Sequence, residues 1–318
     1  MGFSNVSAVP PASLVSRCSD AVARAAAYIR SRQSPSGGFC FYRYGSVDEP
    51  SLGDTYYAVA ALRLFGIQAP NAAKTADFVT EARTFGLTYL YFSALTLDHL
   101  GLGSRISAET SEGIGNLPIT MPGTTDSVDA SGWLESLRKT LRLQQRFAPA
   151  ALDRAARTEK LAAMLAPSAA RSQEDRYAQV AGFIAGLMNR GGFGVRTNLW
   201  DTYLALSVST LLRLPVPDEV AAFVDSLQQP PIGFLMTPHS AMASLDVAYA
   251  GVRCCEILGI PLRYEREIMD LTLGCQTANG GFAHAPLALP NLEFTYRALK
   301  ILAILVPQSR DHLHPLTP

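Results

Sequence analysis

The sequence predicts an all-α protein assembled from repeated helical units, and three observations carry that expectation. One short phrase recurs four times. Gly37-Gly38-Phe39 precedes Asp54-Thr55-Tyr56, Gly191-Gly192-Phe193 precedes Asp201-Thr202-Tyr203, Ile232-Gly233-Phe234 precedes Asp246 to Tyr249, and Gly280-Gly281-Phe282 precedes Glu293 to Tyr296. Helical segments alternate between mixed and almost wholly apolar. No run shows the two-residue alternation of a persuasive strand. A unit that cannot bury its apolar face alone must stack on its neighbours. The 318 residues are therefore expected to form one domain over 18–306, behind a flexible lead at 1–17 and ahead of a polar tail at 307–318.

Taken in order, Asp20 to Arg32 has helical spacing at Val22, Ala25, Ala26 and Ile29, and Ser, Pro and Gly end it. Phe39 to Pro50 reads as an aromatic-rich loop. Ser51 to Phe65 carries no basic residue before Arg63; a helix apolar on all sides is a buried one, so it is expected to lie inside its predecessor. Ala72 to Arg83 is polar-faced and outer, and Thr88 to Leu100 is apolar and inner. Residues 101–125, rich in Gly, Ser, Thr and Pro, read as a long loop or insertion, of a length that usually has a function. Asp126 to Arg146 is a helix with Trp133, Leu134, Leu137, Leu141 and Leu143 on its apolar side. Leu152 to Leu165 is another, and Glu174 to Met188 leads into Gly191. Asn198–Leu214, Ser244–Leu258 and Asn291–Val306 read as inner helices; Pro217–Leu227 and Arg263–Leu273 read as outer ones.

Composition narrows the function classes. Basic and acidic side chains balance at 27 each, without the basic excess typical of a nucleic-acid binder. Five cysteines with no Cys-x-x-Cys spacing suggest buried, reduced thiols and a cytoplasmic setting. No run approaches the roughly 18 apolar residues of a membrane span. Met1-Gly2 is followed by Val6 where myristoylation wants Ser or Thr.

The repeated phrase has a local logic. Gly-Gly ends an outer helix with positive φ, Phe fills the gap between helices, and Asp, Ser or Asn opens an inner helix by satisfying free N–H groups. On that reading Asp54, Asp201, Asp246 and Glu293 are helix-start residues. A second reading is geometric. If the inner helices run parallel, their N-termini gather at one end of a central cavity, a setting that attracts a diphosphate. Tyr56, Tyr57, Tyr89, Phe92, Trp200, Tyr203, Tyr249 and Tyr296 would line it, with Arg297 beside Tyr296 as a further substrate-binding candidate. Aromatic faces stabilise cations.

The four copies resemble the repeats of the prenyltransferase/squalene-cyclase superfamily, which includes protein prenyltransferase β subunits, squalene-hopene cyclases and class II diterpene cyclases. The resemblance spans residues 18–306 and is weakest over 101–170. It implies an α/α toroid, an inner ring of helices within an outer ring. It also implies an isoprenoid or other hydrophobic small-molecule substrate. Protein prenyltransferase β subunits are most similar from Gly191 to Tyr203, where Arg196, Asp201 and Tyr203 match; the resemblance gives Arg196 and Tyr203 to a diphosphate, with Mg²⁺ as its companion. The zinc ligands of that pattern are not reproduced: no Cys follows Asp201, and Asp246 stands where His is expected, so zinc is not expected. Class II cyclases use the middle Asp of Asp-x-Asp-Asp as proton donor. Here Asp126-Ser127-Val128-Asp129 is only superficially similar. The matching repeat positions are Gly53, Trp200, Leu245 and Glu293, which makes Glu293 the candidate acid, with Asp201 and Asp246 aligned to the motif's last Asp. Three functions stay open: acid-initiated cyclisation of a polyene or prenyl diphosphate, prenyl transfer from a diphosphate with a helical partner subunit or as a homodimer, and a non-catalytic toroid that binds a hydrophobic ligand.

Overall fold

The computed structural model describes residues 12–44, 47–82, 86–118, 129–149 and 173–306. Among them are twelve α-helices: α1 Ala12–Ser31, α2 Leu52–Arg63, α3 Ala72–Glu81, α4 Leu87–His99, α5 Ala108–Gly115, α6 Ala130–Phe147, α7 Gln173–Gly186, α8 Leu199–Leu212, α9 Asp218–Ser226, α10 Leu245–Leu258, α11 Glu265–Gly274 and α12 Leu292–Leu305. Two-residue strands pair antiparallel, β1 Arg43–Tyr44 with β2 Val47–Asp48, β3 Met188–Asn189 with β4 Gly192–Phe193, and β5 Gln228–Gln229 with β6 Gly233–Phe234, and Phe39 and Phe282 make isolated bridges at the equivalent turns.

The even-numbered helices close a ring. α2 packs on α4, α4 on α6, α6 on α8, α8 on α10, α10 on α12, and α12 back on α2. The odd-numbered helices back this ring: α1 on α12, α3 on α4, α5 on α6, α9 on α10 and α11 on α12. α7 meets α6 through the edge-to-face pair Phe183 and Trp133, 4.6 Å apart. The ring helices run parallel. Near their N-termini Ser131 of α6 donates to Asp201 of α8, and Tyr57 of α2 to Glu293 of α12. At the opposite end Arg63 of α2 donates to the Asp98 and His99 carbonyls of α4, and Arg146 of α6 to Asp98. The fold is thus an α/α toroid, with its core between the two layers.

The recurring phrase now has a structural account. The first glycine of each pair has positive φ (+97° at Gly37, +82° at Gly191, +93° at Gly280) and lies against the backbone of an outer helix: α3, α9 and α1 respectively. The second lies under an aromatic ring of the same helix, Phe78, Phe223 or Tyr28. A side chain at either position would collide, and only Gly holds that φ without strain. Because Gly280 and Gly281 meet α1, the last unit locks onto the first. The threonine does a job the sequence reading did not assign. Thr55, Thr202 and Thr295 accept from the buried N–H of Phe39, Phe193 and Phe282 at 2.9, 3.0 and 3.0 Å, satisfying donors that water cannot reach.

Several boundaries differ from expectation. α1 begins at Ala12, inside the stretch read as a flexible lead. The 101–125 stretch, read as a loop, contains a 3₁₀ turn at Gly103–Arg105 and α5, which begins at a Ser107 cap; its glycines and lack of apolar periodicity hid an eight-residue helix that supplies the outer partner of α6. The expected helix Leu152–Leu165, the tail after 306 and Asp126 lie outside the described residues. All five cysteines are free and buried. Among the described residues no helix is long and apolar enough to cross a membrane.

Candidate active site

Counting from the caps places the ring-lining residues. Ser51, Asn198, Ser244 and Asn291 each accept, through the side chain, the N–H of the residue three further on. The third helical position is then Asp54, Asp201, Val247 and Phe294; the second is Gly53, Trp200, Asp246 and Glu293; the fifth is Tyr56, Tyr203, Tyr249 and Tyr296. This corrects the repeat register. Glu293 is equivalent to Asp246, not to Leu245, and Asp246 is not equivalent to Asp201. The difference is physical, because positions two, five and six share one helix face whereas position three is turned away from it.

The third-position acids complete the caps. Asp54 receives Ser51 Oγ at 2.8 Å, and burial pushes its carboxyl up. Asp201, 5% exposed, receives Asn198 Nδ2 at 2.8 Å and the Ser131 hydroxyl, and Gly194 leaves room for it. The second-position acids meet Arg297, which pairs with both Asp246 and Glu293.

At the centre of the ring is a small, partly open chamber of about 50 Å³. Its wall includes the fifth-position tyrosines Tyr56, Tyr91, Tyr203, Tyr249 and Tyr296, one from each ring helix except α6, together with Tyr57 and Trp200. Tyr203 and Tyr249 meet edge to face with ring centres 5.6 Å apart, as do Tyr56 and Tyr91 at 5.6 Å. α6 instead contributes Glu135, Arg138, Lys139 and Arg142, spaced as one stripe along a helix. Arg138 holds Glu135 through two hydrogen bonds of 2.8 and 2.7 Å, and Arg142 donates to Tyr91 Oη at 3.1 Å.

Electrostatics divide the phenols. Desolvation raises all five ring tyrosines, but at Tyr91 the charges of Arg142 and Arg138 and the hydrogen bonds it shares with Tyr56 and Arg142 together outweigh it, and at Tyr203 the charges of Arg138, Arg253 and Arg142 and the hydrogen bond with Tyr249 together do, so both lie below the usual phenol range. Tyr56, Tyr249 and Tyr296 stay raised by burial. Burial also pushes the Glu293 carboxyl up, and the nearby charges of Glu135 and Asp54 act the same way, against the 3.0 Å hydrogen bond from Tyr57 and the charge of Lys139. Glu135 ends below the usual carboxylate range, because Arg138 overcomes its desolvation. Arg297 lies over the Trp200, Tyr249 and Phe294 rings, 4.9, 5.8 and 5.6 Å from their centres.

Of the residues singled out from sequence, the chamber brings together Glu293, Arg297, Tyr56, Tyr57, Trp200, Tyr203, Tyr249 and Tyr296. Asp246 joins them through Arg297. Asp54 and Asp201 stay in their caps. Arg196 lines a separate groove, formed with Asn189, Thr197, Glu219 and His239. Tyr89 is turned outward and 51% exposed, and Tyr91, two residues on, takes the inner place. The sequence reading missed the α6 stripe. Its signal was present: Glu135, Arg138, Lys139 and Arg142 recur at helical spacing opposite Leu134, Leu137 and Leu141, and a charged face on an inner helix can only point to the centre. The expected aromatic-lined cavity is narrow, and its wall also carries four cationic side chains. Among the described residues no group of three or more His, Cys, Asp or Glu is arranged to hold a metal ion.

Comparison with known proteins bears on this geometry. The profile of the prenyltransferase alpha-alpha toroid domain matches residues 6–88 and 155–317. No curated protein sequence matches the chain. Among solved structures, a variant of the type II terpene cyclase MstE from Scytonema with geranylgeranyl dihydroxybenzoate, its substrate, superposes with a TM-score of 0.54 at 10% identity, covering 93% of this chain and 99% of that one. Another MstE variant, holding the product merosterolic acid A, gives 0.53 at 10% identity over 93% and 99%. At such identity the likeness is one of fold.

Proposed function

Because the chain belongs to the prenyltransferase alpha-alpha toroid domain family, and its ring holds a half-buried carboxyl group beside aromatic faces, we propose that it is a terpene-cyclase-like enzyme in which Glu293 donates the initiating proton to an isoprenoid. One observation carries this reading: Arg297 is shared by two carboxylates, Asp246 and Glu293. With Asp246 ionised against Arg297, Glu293 can hold a proton without leaving the guanidinium unpaired. Burial and a neighbouring negative charge both favour that protonated form.

In the step, the Glu293 proton forms a C–H bond using the π pair of a substrate alkene. The adjacent carbon becomes cationic and is attacked by the next alkene. Phenol and indole faces stabilise the migrating charge, and proton loss to water ends the sequence. Tyr57 positions the carboxyl group. The chamber's 50 Å³ is far below the roughly 300 Å³ at which small-molecule pockets begin, so turnover requires the wall to part. Glu293→Gln keeps the shape and the Tyr57 contact but has no acidic proton. With geranyl, farnesyl and geranylgeranyl diphosphates and squalene as a panel, it should lower cyclised product by about 10²–10⁴-fold. Unchanged turnover would remove Glu293 from the mechanism.

The four cations of the chamber favour a second reading, prenyl transfer from a diphosphate, with Mg²⁺ as the metal to add. The products separate the two. Proton-initiated cyclisation yields an isomer of unchanged mass, whereas transfer releases inorganic diphosphate. A hydrophobic ligand retained with neither product would indicate a binding protein.

A further inference from the structure

The ring has two unlike ends. Among the described residues seven large apolar side chains are exposed, and all seven lie in the loops that lead into the ring helices or in the first turn of α4, none at the opposite end. A concentration of exposed apolar side chains on one face marks an interaction surface. The loops are held in place by one another: the Leu199 N–H of α8 donates to the Met236 carbonyl at 2.9 Å, and the Leu245 N–H of α10 to the His284 carbonyl at 2.8 Å. Leu287 is wholly exposed with φ +69°, a strained conformation for a side chain that adds nothing to the core. The caps put four of these loops in register. Two residues before Ser51, Asn198, Ser244 and Asn291 stand Glu49, Arg196, Met242 and Leu289, all four exposed. One place on the rim is thus filled in turn by an acid, a base and two apolar side chains.

We propose that this rim binds the rim of a second copy of the chain, in a twofold dimer with the two rings face to face. In the ring of six, α2 and α8 stand opposite one another, while α10 and α12 are neighbours. A twofold axis lying across the rim reverses the order of the partner's helices. Only one such axis sets α2 over the α8 helix of the partner, so that Glu49 meets Arg196 of the partner subunit. The same axis sets α10 over the partner's α12, so that Met242 meets Leu289 of the partner subunit. Each contact then occurs twice. One operation therefore matches opposite charges and apolar side chains together. The loops as wholes agree with it: Cys40 to Ser51 holds two acids and one base, and Leu187 to Asn198 holds two bases and no acid. An anionic lipid surface would be repelled by the acids of the α2 loop, whereas a second copy supplies their partners. Trp200 and Glu293 of the chamber wall lie in the first turn of the same helices, so pairing brings the two chambers toward each other. It does not depend on which reaction they perform.

The test is sedimentation velocity of the full chain over a range of protein concentrations, with circular dichroism to confirm that each variant is folded. Wild type should be a dimer. Glu49→Arg and Arg196→Glu each set like charges against one another twice, and each should weaken the dimer about tenfold to a hundredfold at low salt and less at high salt. The double variant, Glu49→Arg with Arg196→Glu, restores opposite charges with their signs exchanged and should dimerise as wild type does. Met242→Asp should give a monomer, whereas Lys74→Glu, a charge reversal on the outer helix α3, should leave the dimer intact. A wild type that stays monomeric, a dimer indifferent to either single reversal or to Met242→Asp, or a double variant no better than the single ones would each overturn the pairing. A monomer that instead sediments with vesicles of phosphatidylcholine and phosphatidylglycerol would also overturn it and assign the rim to a lipid surface.

Discussion

His99, in the last turn of α4, gives the fold a specific pH dependence. Its ring lies 5.8 Å from that of Tyr56, and its Nδ1 is buried with no hydrogen-bond partner. Burial, and after it the charge of Arg63, pushes its pKa down to about 4 from 6.5. The folded protein therefore prefers neutral imidazole, while the unfolded chain takes up a proton below pH 6.5. The His99 contribution to stability is complete above that pH and is lost as pH falls toward 4. Linkage gives a loss of about 2 kcal/mol at pH 5, approaching about 3 kcal/mol near pH 4. The check is urea unfolding of wild type and His99→Phe between pH 8 and 5. Subtracting the two curves cancels carboxylates common to both. The wild-type advantage should be constant above pH 7 and shrink by about 2 kcal/mol by pH 5. A difference that stays flat across this range would refute the argument that His99 is held neutral.

Two further predictions concern the closure of the ring. Gly280→Ala places a methyl group 2.4 Å from the Arg24 carbonyl at φ +93° and should cost about 2 kcal/mol or more in thermal or urea unfolding; Gly259→Ala, at φ +67° with open space around it, should cost only about 1 kcal/mol. Thr202→Val strands the buried N–H of Phe193 and should destabilise by about 1–3 kcal/mol, with hydrogen exchange at Phe193 accelerated more than in the other repeats.

Much of the architecture could be read from the chain because it is written locally. A glycine pair that ends one helix, a plugging phenylalanine and a polar cap that starts the next are short-range signals, and each recurs. Alternation of mixed and apolar helices then separates outer from inner. What was not legible depended on register. Aligning units by their acids put Asp246 beside Asp201, whereas the caps at Asn198 and Ser244 put it beside Trp200. A shift of one residue on a helix turns a side chain by about 100°, enough to move a carboxylate from the cap to the centre. A shift of two residues, about 200°, likewise exchanges Tyr89 for Tyr91. α5 was missed because its stability comes from packing on α6, which no local pattern records.

The repeat also explains why the chemistry concentrates where it fails. Five ring helices follow the rule and each brings a tyrosine to the centre. Were the sixth to follow it, the centre would be a set of phenols whose only charged companions are Arg297 and the two acids paired with it. α6 has Leu134 at its fifth position and turns Glu135, Arg138, Lys139 and Arg142 inward instead. Buried charge of that density lowers stability unless it is balanced, and Glu135 balances only part of it. A helix that departs from its own repeat at a stability cost, on the face that lines the chamber with Glu293, is where the demands of a site and those of the fold compete.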